Sequence, residues 1–345
     1  MDLPFSLADL DYATELVHRS IHPTPQHLWP LLSEAVGAEV WVKHENHTLT
    51  GAFKVRGGLV YVDRLLARRP AVPGIVSATR GNHGQSLAYA GRRAGLNVTI
   101  VVPHGNSPDK NAAMRGFGAT VVEAGHDFDA AREHALRLAQ GGGLELVPPF
   151  HPHLVLGVAT YARELFQAVS DLDAVYVPVG MGSGACGLIG VRDLLGLETE
   201  VIGVVSSEAP AVYLSFQAGK VVTTATAETF VDGVACRVPD RVAVERLLAG
   251  ASRIVAVGEE AVANAMRLLF TTTHNVPEPA GAIALAALMA ERPMMASKRV
   301  AVIQTGGNAD SAVLAEVLSG KTPGVAHPSS QDDPDGASTA SRPVR

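Results

Sequence analysis

From residue 74 to residue 150 the hydrophobic and polar positions of the chain alternate between two periods. Short β-branched runs (GIVSAT at 74–79, VTIVVP at 98–103, ATVVEA at 119–124, LELVPPF at 144–150) are separated by stretches of helical spacing at 85–94, 110–117 and 128–139. Strand followed by helix, repeated, predicts a parallel sheet with covering helices, here a compact module of about four strands. The rhythm resumes with a helix at 157–168, DAVYVPV at 173–179, a helix at 188–195 and EVIGVVSS at 200–207. Two more strand patterns follow, RIVAV at 253–257 and RVAVIQT at 299–305. Ahead of the module, residues 6–20 read as an amphipathic helix capped by Ser6, HPTP at 22–25 as an extended loop, 31–36 as a helix and EVWVK at 39–43 as a strand. Lys54 opens a further helix to about residue 69, with Leu59, Val60, Val62, Leu65 and Leu66 at helical spacing.

The predicted class is α/β, in two lobes that are each a mostly parallel sheet flanked by helices, with the active site in the cleft between them. Residues 1–72 and 152–320 are assigned to the larger lobe and 73–151 to the smaller. Residues 321–345, a Pro/Ser/Asp/Gly mixture with almost nothing to bury, are expected to be a disordered tail.

Composition narrows the partners. A net charge of −6 over 345 residues gives no basic field for nucleic acid, and the longest apolar run, 280–290, is too short to span a bilayer. Small molecules are therefore the expected partners. Cys186 and Cys236 are the two cysteines and show no metal-ligand spacing, which argues against a disulfide framework or a zinc site and fits a reducing cytoplasm.

The stretch KHENHTLTGAFKVRGG at 43–58 places Lys54 between a loop with small residues and the start of a helix. Such a setting suits a nucleophilic amine held against an aromatic cofactor, although a lone lysine in a polar loop is more often solvated surface. Four further patches change that balance. Gly180, Met181, Gly182, Ser183 and Gly184 follow a buried strand and precede a helix, so their amides could face a phosphate. The loop lacks the Lys-Ser/Thr ending of a nucleotide P-loop, and a single phosphate monoester fits it better than NAD or ATP. Thr79, Arg80, Gly81, Asn82 and His83 form a polar cluster between a strand and a helix; Asp232-Gly233 and QTGGN at 304–308 are strand or loop ends rich in small residues.

Taken together, Lys43-x-Glu45-Asn46, Gly51-Ala52-Phe53-Lys54-x-Arg56-Gly57, Gly81-Asn82-His83, the 180–184 loop, Glu278-Pro279-Ala280-Gly281-Ala282 and Thr305-Gly306-Gly307-Asn308 give the chain its resemblance to a known family. Over roughly 7–320 it resembles the fold type II pyridoxal-phosphate enzymes, tryptophan synthase β-like in architecture, and within them the serine/threonine dehydratases. The resemblance implies pyridoxal 5'-phosphate held by Lys54 as a Schiff base, with the freed amine later removing the substrate α-proton. It implies Phe53 packed on the cofactor ring, Asn82 on the ring hydroxyl, residues 180–184 on the phosphate, Gly233 beside the cofactor, and Thr305 at the pyridine nitrogen. The turn of Thr79, Arg80, Gly81, Asn82 and His83 would receive the substrate carboxylate. A neutral pyridine beside Thr305 favours loss of a β-substituent over transamination.

The implied activity is a dehydratase (ammonia-lyase) of amino-acid catabolism that converts a β-hydroxy L-amino acid, threonine or serine by default, to an α-keto acid and ammonia, and the implied assembly is a homodimer. A bulkier or charged substrate such as phenylserine or hydroxyaspartate, β-replacement, and a non-catalytic cofactor-binding sensor stay open as alternatives. Arg80 departs from the Ala or Ser usual in relatives, so little racemase activity is expected. In VSSEAPA at 205–211 only Glu208 is acidic; a structural divalent metal is not expected there, and a monovalent cation held by carbonyls stays open. Histidines such as His44, His47, His151 and His153 are read as loop or packing residues, while His274 lies within reach of the cofactor. No regulatory domain, and hence no isoleucine feedback, is expected after residue 320.

Overall fold

A computed structural model describes residues 5–126 and 128–324. In chain order its strands are β1 Gln26–Leu28, β2 Glu39–His44, β3 Gly74–Ala78, β4 Asn97–Val102, β5 Thr120–Glu123, β6 Glu145–Leu146, β7 Ala174–Pro178, β8 Glu200–Ser206, β9 Arg253–Val257 and β10 Arg299–Gln304. They form a six-stranded sheet, β1-β2-β10-β7-β8-β9, and a four-stranded sheet, β5-β4-β3-β6. Every pairing is parallel except β1 with β2. The fold is therefore α/β with two parallel-sheet regions, as the strand-helix rhythm predicts. The tail expected at 321–345 lies, from residue 325 on, outside the described residues.

Three differences from the sequence reading have physical causes. LELVPPF contributes only Glu145–Leu146 to the ladder, because Pro148 and Pro149 have no amide to donate. Three helices begin earlier than read, Asn82–Arg93, Pro152–Ala168 and Ser183–Leu194: polar and glycine residues that resembled loop form the first turns of the first and third, and in the second Pro152 stands at the helix start, where a missing amide costs nothing. Strand β1 escapes pattern reading because it is three residues long and half-exposed at a sheet edge.

The six-stranded sheet is packed around the helix Pro279–Ala290, whose residues are buried from Pro279 to Leu288. An apolar surface all round marks a helix inside a core. Among the described residues no helix is long and apolar enough to cross a membrane.

Candidate active site

Parallel strands deliver their C-terminal ends to one side, where open α/β sheets bind ligands. Strand β2 ends at His44 and leads through a turn of 3-10 helix, Glu45–His47, to the loop before Lys54, the first residue of the helix Lys54–Arg68. The loop is stitched to the end of β10. The Phe53 amide donates to the Thr305 carbonyl (3.0 Å) and Ala52 bridges to Gly306. Gly51 is left-handed (φ +67°), and a side chain there would meet Asn308 Oδ1 at 2.4 Å.

Beneath this loop lies a buried quartet of charges. The Arg56 guanidinium donates to Glu45 (2.7 and 3.0 Å) and to Glu164 (2.6 and 2.8 Å), and Lys43 Nζ donates to Glu164 (2.6 Å). Two cations and two anions neutralise one another, and Thr24 and Thr160 take up further hydrogen-bonding positions. Arg56 holds Glu164 down to about 2 against the opposing effect of burial. Lys43, Glu45 and Arg56 of the motif are thus the foundation that orients the first turn carrying Lys54.

The Lys54 side chain is half-buried, and burial lowers its pKa to about 8 despite the nearby Glu278 carboxylate. It lies 4.8 Å from the centroid of the Phe53 ring and donates to Ser183 Oγ at 3.4 Å. Phe53 meets Tyr161 edge-on (6.1 Å between centroids), and the Tyr161 hydroxyl donates to the Gly184 carbonyl (3.0 Å).

Ser183 opens a helix whose cap, Gly182, is left-handed (φ 95°). The first intrahelical bond runs from the Cys186 amide to the Gly182 carbonyl (2.9 Å), so the amides of Ser183, Gly184 and Ala185 are the helix-start donors available to an anion. Gly180 and Gly233 face each other in this cradle: a Cβ on Gly180 would lie 2.6 Å from the Gly233 carbonyl. Met181 packs beside it, with its sulfur 3.6 Å from that of Cys236.

The 79–83 turn joins β3 to the helix Asn82–Arg93. Thr79 Oγ1 accepts the Gly81 amide (3.2 Å). Asn82 Nδ2 donates to both oxygens of Glu278 (2.8 and 2.9 Å), while its Oδ1 accepts from Asn308 Nδ2 (2.8 Å), which also reaches the Thr50 carbonyl (2.8 Å). This relay sets the orientation of the Asn82 amide. Burial, reinforced by the charge of Asp232, pushes Glu278 up to about 7. His83 is buried with Nε2 unpartnered, and burial followed by the Lys54 charge lowers it to about 3, so its ring is neutral. Arg80 is exposed. Thr305 is buried at the end of β10, its hydroxyl donating to the Ala280 carbonyl (3.4 Å).

The residues read from the sequence as a site, on both sheets, therefore lie around the strand ends; Arg80 and Gly233 among them are exposed. The partnership of Glu278 and Asn308 with Asn82 was not legible, although both residues fall inside the quoted motifs. Lys110, which pairs with Asp232 and Asp310, carries no motif at all. His274 caps the helix Glu259–Thr273 in a left-handed conformation (φ 53°). Near the 205–211 turn, Glu208, Glu228 and Glu259 line a cavity of about 360 Å³. Glu259 accepts from Ser206 (3.0 Å) and the Phe230 amide (3.1 Å), and no group of three or more His, Cys, Asp or Glu placed for a metal occurs among the described residues.

Residues 17–306 match the model of the pyridoxal-phosphate dependent enzyme family. An L-threonine ammonia-lyase of Thermotoga maritima is 32% identical over 314 residues, covering 91% of this chain and 78% of that protein. The L-threonine dehydratase biosynthetic IlvA of Pasteurella multocida is 34% identical over 270 residues, 77% of this chain and 52% of that longer protein. Among solved structures, the processed form of threonine deaminase isoform 2 from Solanum lycopersicum superposes with a TM-score of 0.84 at 28% identity, covering 92% of this chain and 95% of that one. A pyridoxal 5'-phosphate-dependent aspartate racemase gives 0.86 at 27% identity, with 91% and 99% covered.

Proposed function

This chain belongs to the pyridoxal-phosphate-dependent enzymes and is a lyase, and on that premise we propose that it eliminates the β-hydroxyl of a β-hydroxy L-amino acid, L-threonine or L-serine, as water, after which hydrolysis of the unsaturated amine takes up a water and releases ammonia, leaving an α-keto acid. The residues fit the cofactor. Lys54 offers a half-buried amine with a lowered pKa, the 183–185 amides offer a phosphate cradle, Phe53 an aromatic face and Thr305 a buried hydroxyl. When bound, the cofactor supplies the electron sink for the carbanion formed at the substrate α-carbon.

The observation that best supports elimination is the placing of the Lys54 amine 3.4 Å from Ser183 Oγ at the mouth of the amide cradle. The amine that would hold the cofactor is thereby kept beside the phosphate cradle, where, when free, it would accept the α-proton. The Asn82 amide, held by Glu278 and Asn308, would reach the ring hydroxyl by giving up its bond to one of the Glu278 oxygens. The 79–83 turn supplies backbone amides and the Thr79 hydroxyl to the substrate carboxylate. A hydroxyl at Thr305, in place of a carboxylate, would leave a pyridine nitrogen held there largely neutral and would favour expulsion of the β-hydroxyl over transamination.

The cleft favours a neutral side chain on the substrate. Asp232 and Asp310 share one cation, Lys110, and a substrate β-carboxylate would add a third negative charge there. Arg80 points to solvent and offers it no compensation. A homodimer in a reducing cytoplasm completes the proposal; both cysteines are buried, and burial pushes each thiol up to about 12, which suits inert packing residues.

Keto-acid release should be measured for L-threonine, L-serine, L-threo-phenylserine and 3-hydroxyaspartate on protein loaded with pyridoxal phosphate. Threonine or serine is expected to react best, hydroxyaspartate poorly and Lys54→Ala not at all. No keto acid from any of the four, with cofactor bound, overturns the dehydratase reading; product formed only on adding a thiol would assign β-replacement.

A further inference from the structure

The segment 106–111 connects the two halves of the cleft. On one side it holds the 79–83 turn: Asn106 Nδ2 donates to the Arg80 carbonyl (3.2 Å), and the Lys110 stem covers Gly81 so closely that a Cβ there would lie 3.1 Å from Lys110 Cδ. On the other side it grips residues that follow the strands of the six-stranded sheet. Lys110 Nζ pairs with Asp232 and with Asp310 (3.3 Å), Ser107 donates to Asp310, and Ser311 Oγ donates to Asp109 (2.9 Å). The ammonium is mostly shielded, its side chain 11% exposed, and Asp232 immediately precedes the cradle residue Gly233. Lys110 thus lies over one wall of the site and is anchored to the other.

We propose that Lys110 is a positioning residue for amino-acid binding: it clamps the 79–83 turn to Asp232 and Asp310 and so sets the affinity for the substrate carboxylate. This rests on the reading that the 79–83 turn receives that carboxylate. The clamp acts through geometry, since the ammonium is already engaged by two aspartates, and its effect falls on binding more than on turnover.

The test uses full-length protein loaded with pyridoxal phosphate, with L-serine as the probe. Amino-acid affinity is read from the change in cofactor absorbance and KM and kcat from keto-acid release, between about 0.02 M and about 0.5 M KCl. Lys110→Met keeps the stem over Gly81 and removes the charge. It is expected to weaken L-serine binding and raise KM about tenfold, with kcat changed less than about threefold, as befits a loosened but still assembled turn. KCl should weaken binding to wild-type protein by screening the ion pairs, and the Lys110→Met variant should have lost most of that dependence. Asp310→Asn, a milder change, should shift both readouts in the same direction and carries the test if Lys110→Met does not fold.

Thr79→Val separates this inference from its premise. If Thr79→Val binds L-serine as wild type does, the carboxylate reading fails and the Lys110 proposal with it. If Thr79→Val weakens binding while Lys110→Met and Asp310→Asn keep wild-type KM and salt dependence, Lys110 has no positioning role. An equal loss of kcat with KM unchanged also overturns the proposal.

Discussion

Lys54 and Glu278 are the two site residues whose chemistry burial changes most usefully. Only a neutral amine attacks the cofactor aldehyde, and Lys54 becomes neutral as pH rises through about 8. Capture of pyridoxal phosphate by the apoprotein should therefore accelerate with pH along a single titration near 8, as followed by absorbance after mixing, and Lys54→Ala should show no covalent capture. Glu278 titrates near 4.5 when exposed and near 7 in the folded protein, so folding takes up a proton between those values. Its contribution to stability is complete below about 4.5 and is lost as pH rises through 7. Glu278→Gln apoprotein should then gain on wild type in urea unfolding across that window, by a margin on the order of 3 kcal/mol above pH 7. The same variant should misorient Asn82 and bind cofactor more weakly. The lysine was legible from its neighbours in the sequence; the role of Glu278 was not, because its partner Asn82 is 196 residues away.

At the scale of elements, the helix Lys54–Arg68 depends on what lies beneath and beside it. Its buried Arg56 joins Glu45 and Glu164 in a balanced charge cluster. Arg56→Met leaves two carboxylates against the single cation Lys43, and a loss of about 3–5 kcal/mol is expected from breaking such a buried network, measurable by urea denaturation. The helix also approaches Pro152–Ala168 backbone to backbone, where a Cβ on Gly157 would lie 2.3 Å from the Arg56 carbonyl. Gly157→Ala should therefore cost about 1–3 kcal/mol through overpacking and should lower cofactor affinity by shifting the first turn. Helical periodicity was readable in both helices, and so was the start at Lys54, but the start at Pro152 was not. Glycine and polar residues carry no apolar signal, and they form the first turns of the helices from Asn82 and Ser183, where a helix start leaves free amides. Strand β6 shows the converse: an apolar run whose prolines stop the ladder after two residues.

For the whole molecule, the cofactor should tie the two sheets together, through Asn82 from one and the 180–184 cradle from the other. Removing pyridoxal phosphate should thus lower the thermal unfolding temperature cooperatively rather than loosen one half. At a cofactor concentration about a hundredfold above Kd the loaded protein should be stabilised by about 3 kcal/mol, and scanning calorimetry with and without cofactor checks it. Two separate transitions, with only one responding, would show that the cofactor does not couple the sheets. The α/β class, most of the strands, and the positions of Lys54 and of the 180–184 loop at helix starts were readable in advance, since each depends on residues close in sequence whose period and small size reflect local physics. The oriented Asn82 amide, the charge quartet under Lys54 and the Lys110 clamp depend instead on residues 196, 108 and 122 positions apart. Those distances close only when parallel strands and their crossovers bring the strand ends to one side of each sheet, and no local pattern encodes which distant partner will be waiting there.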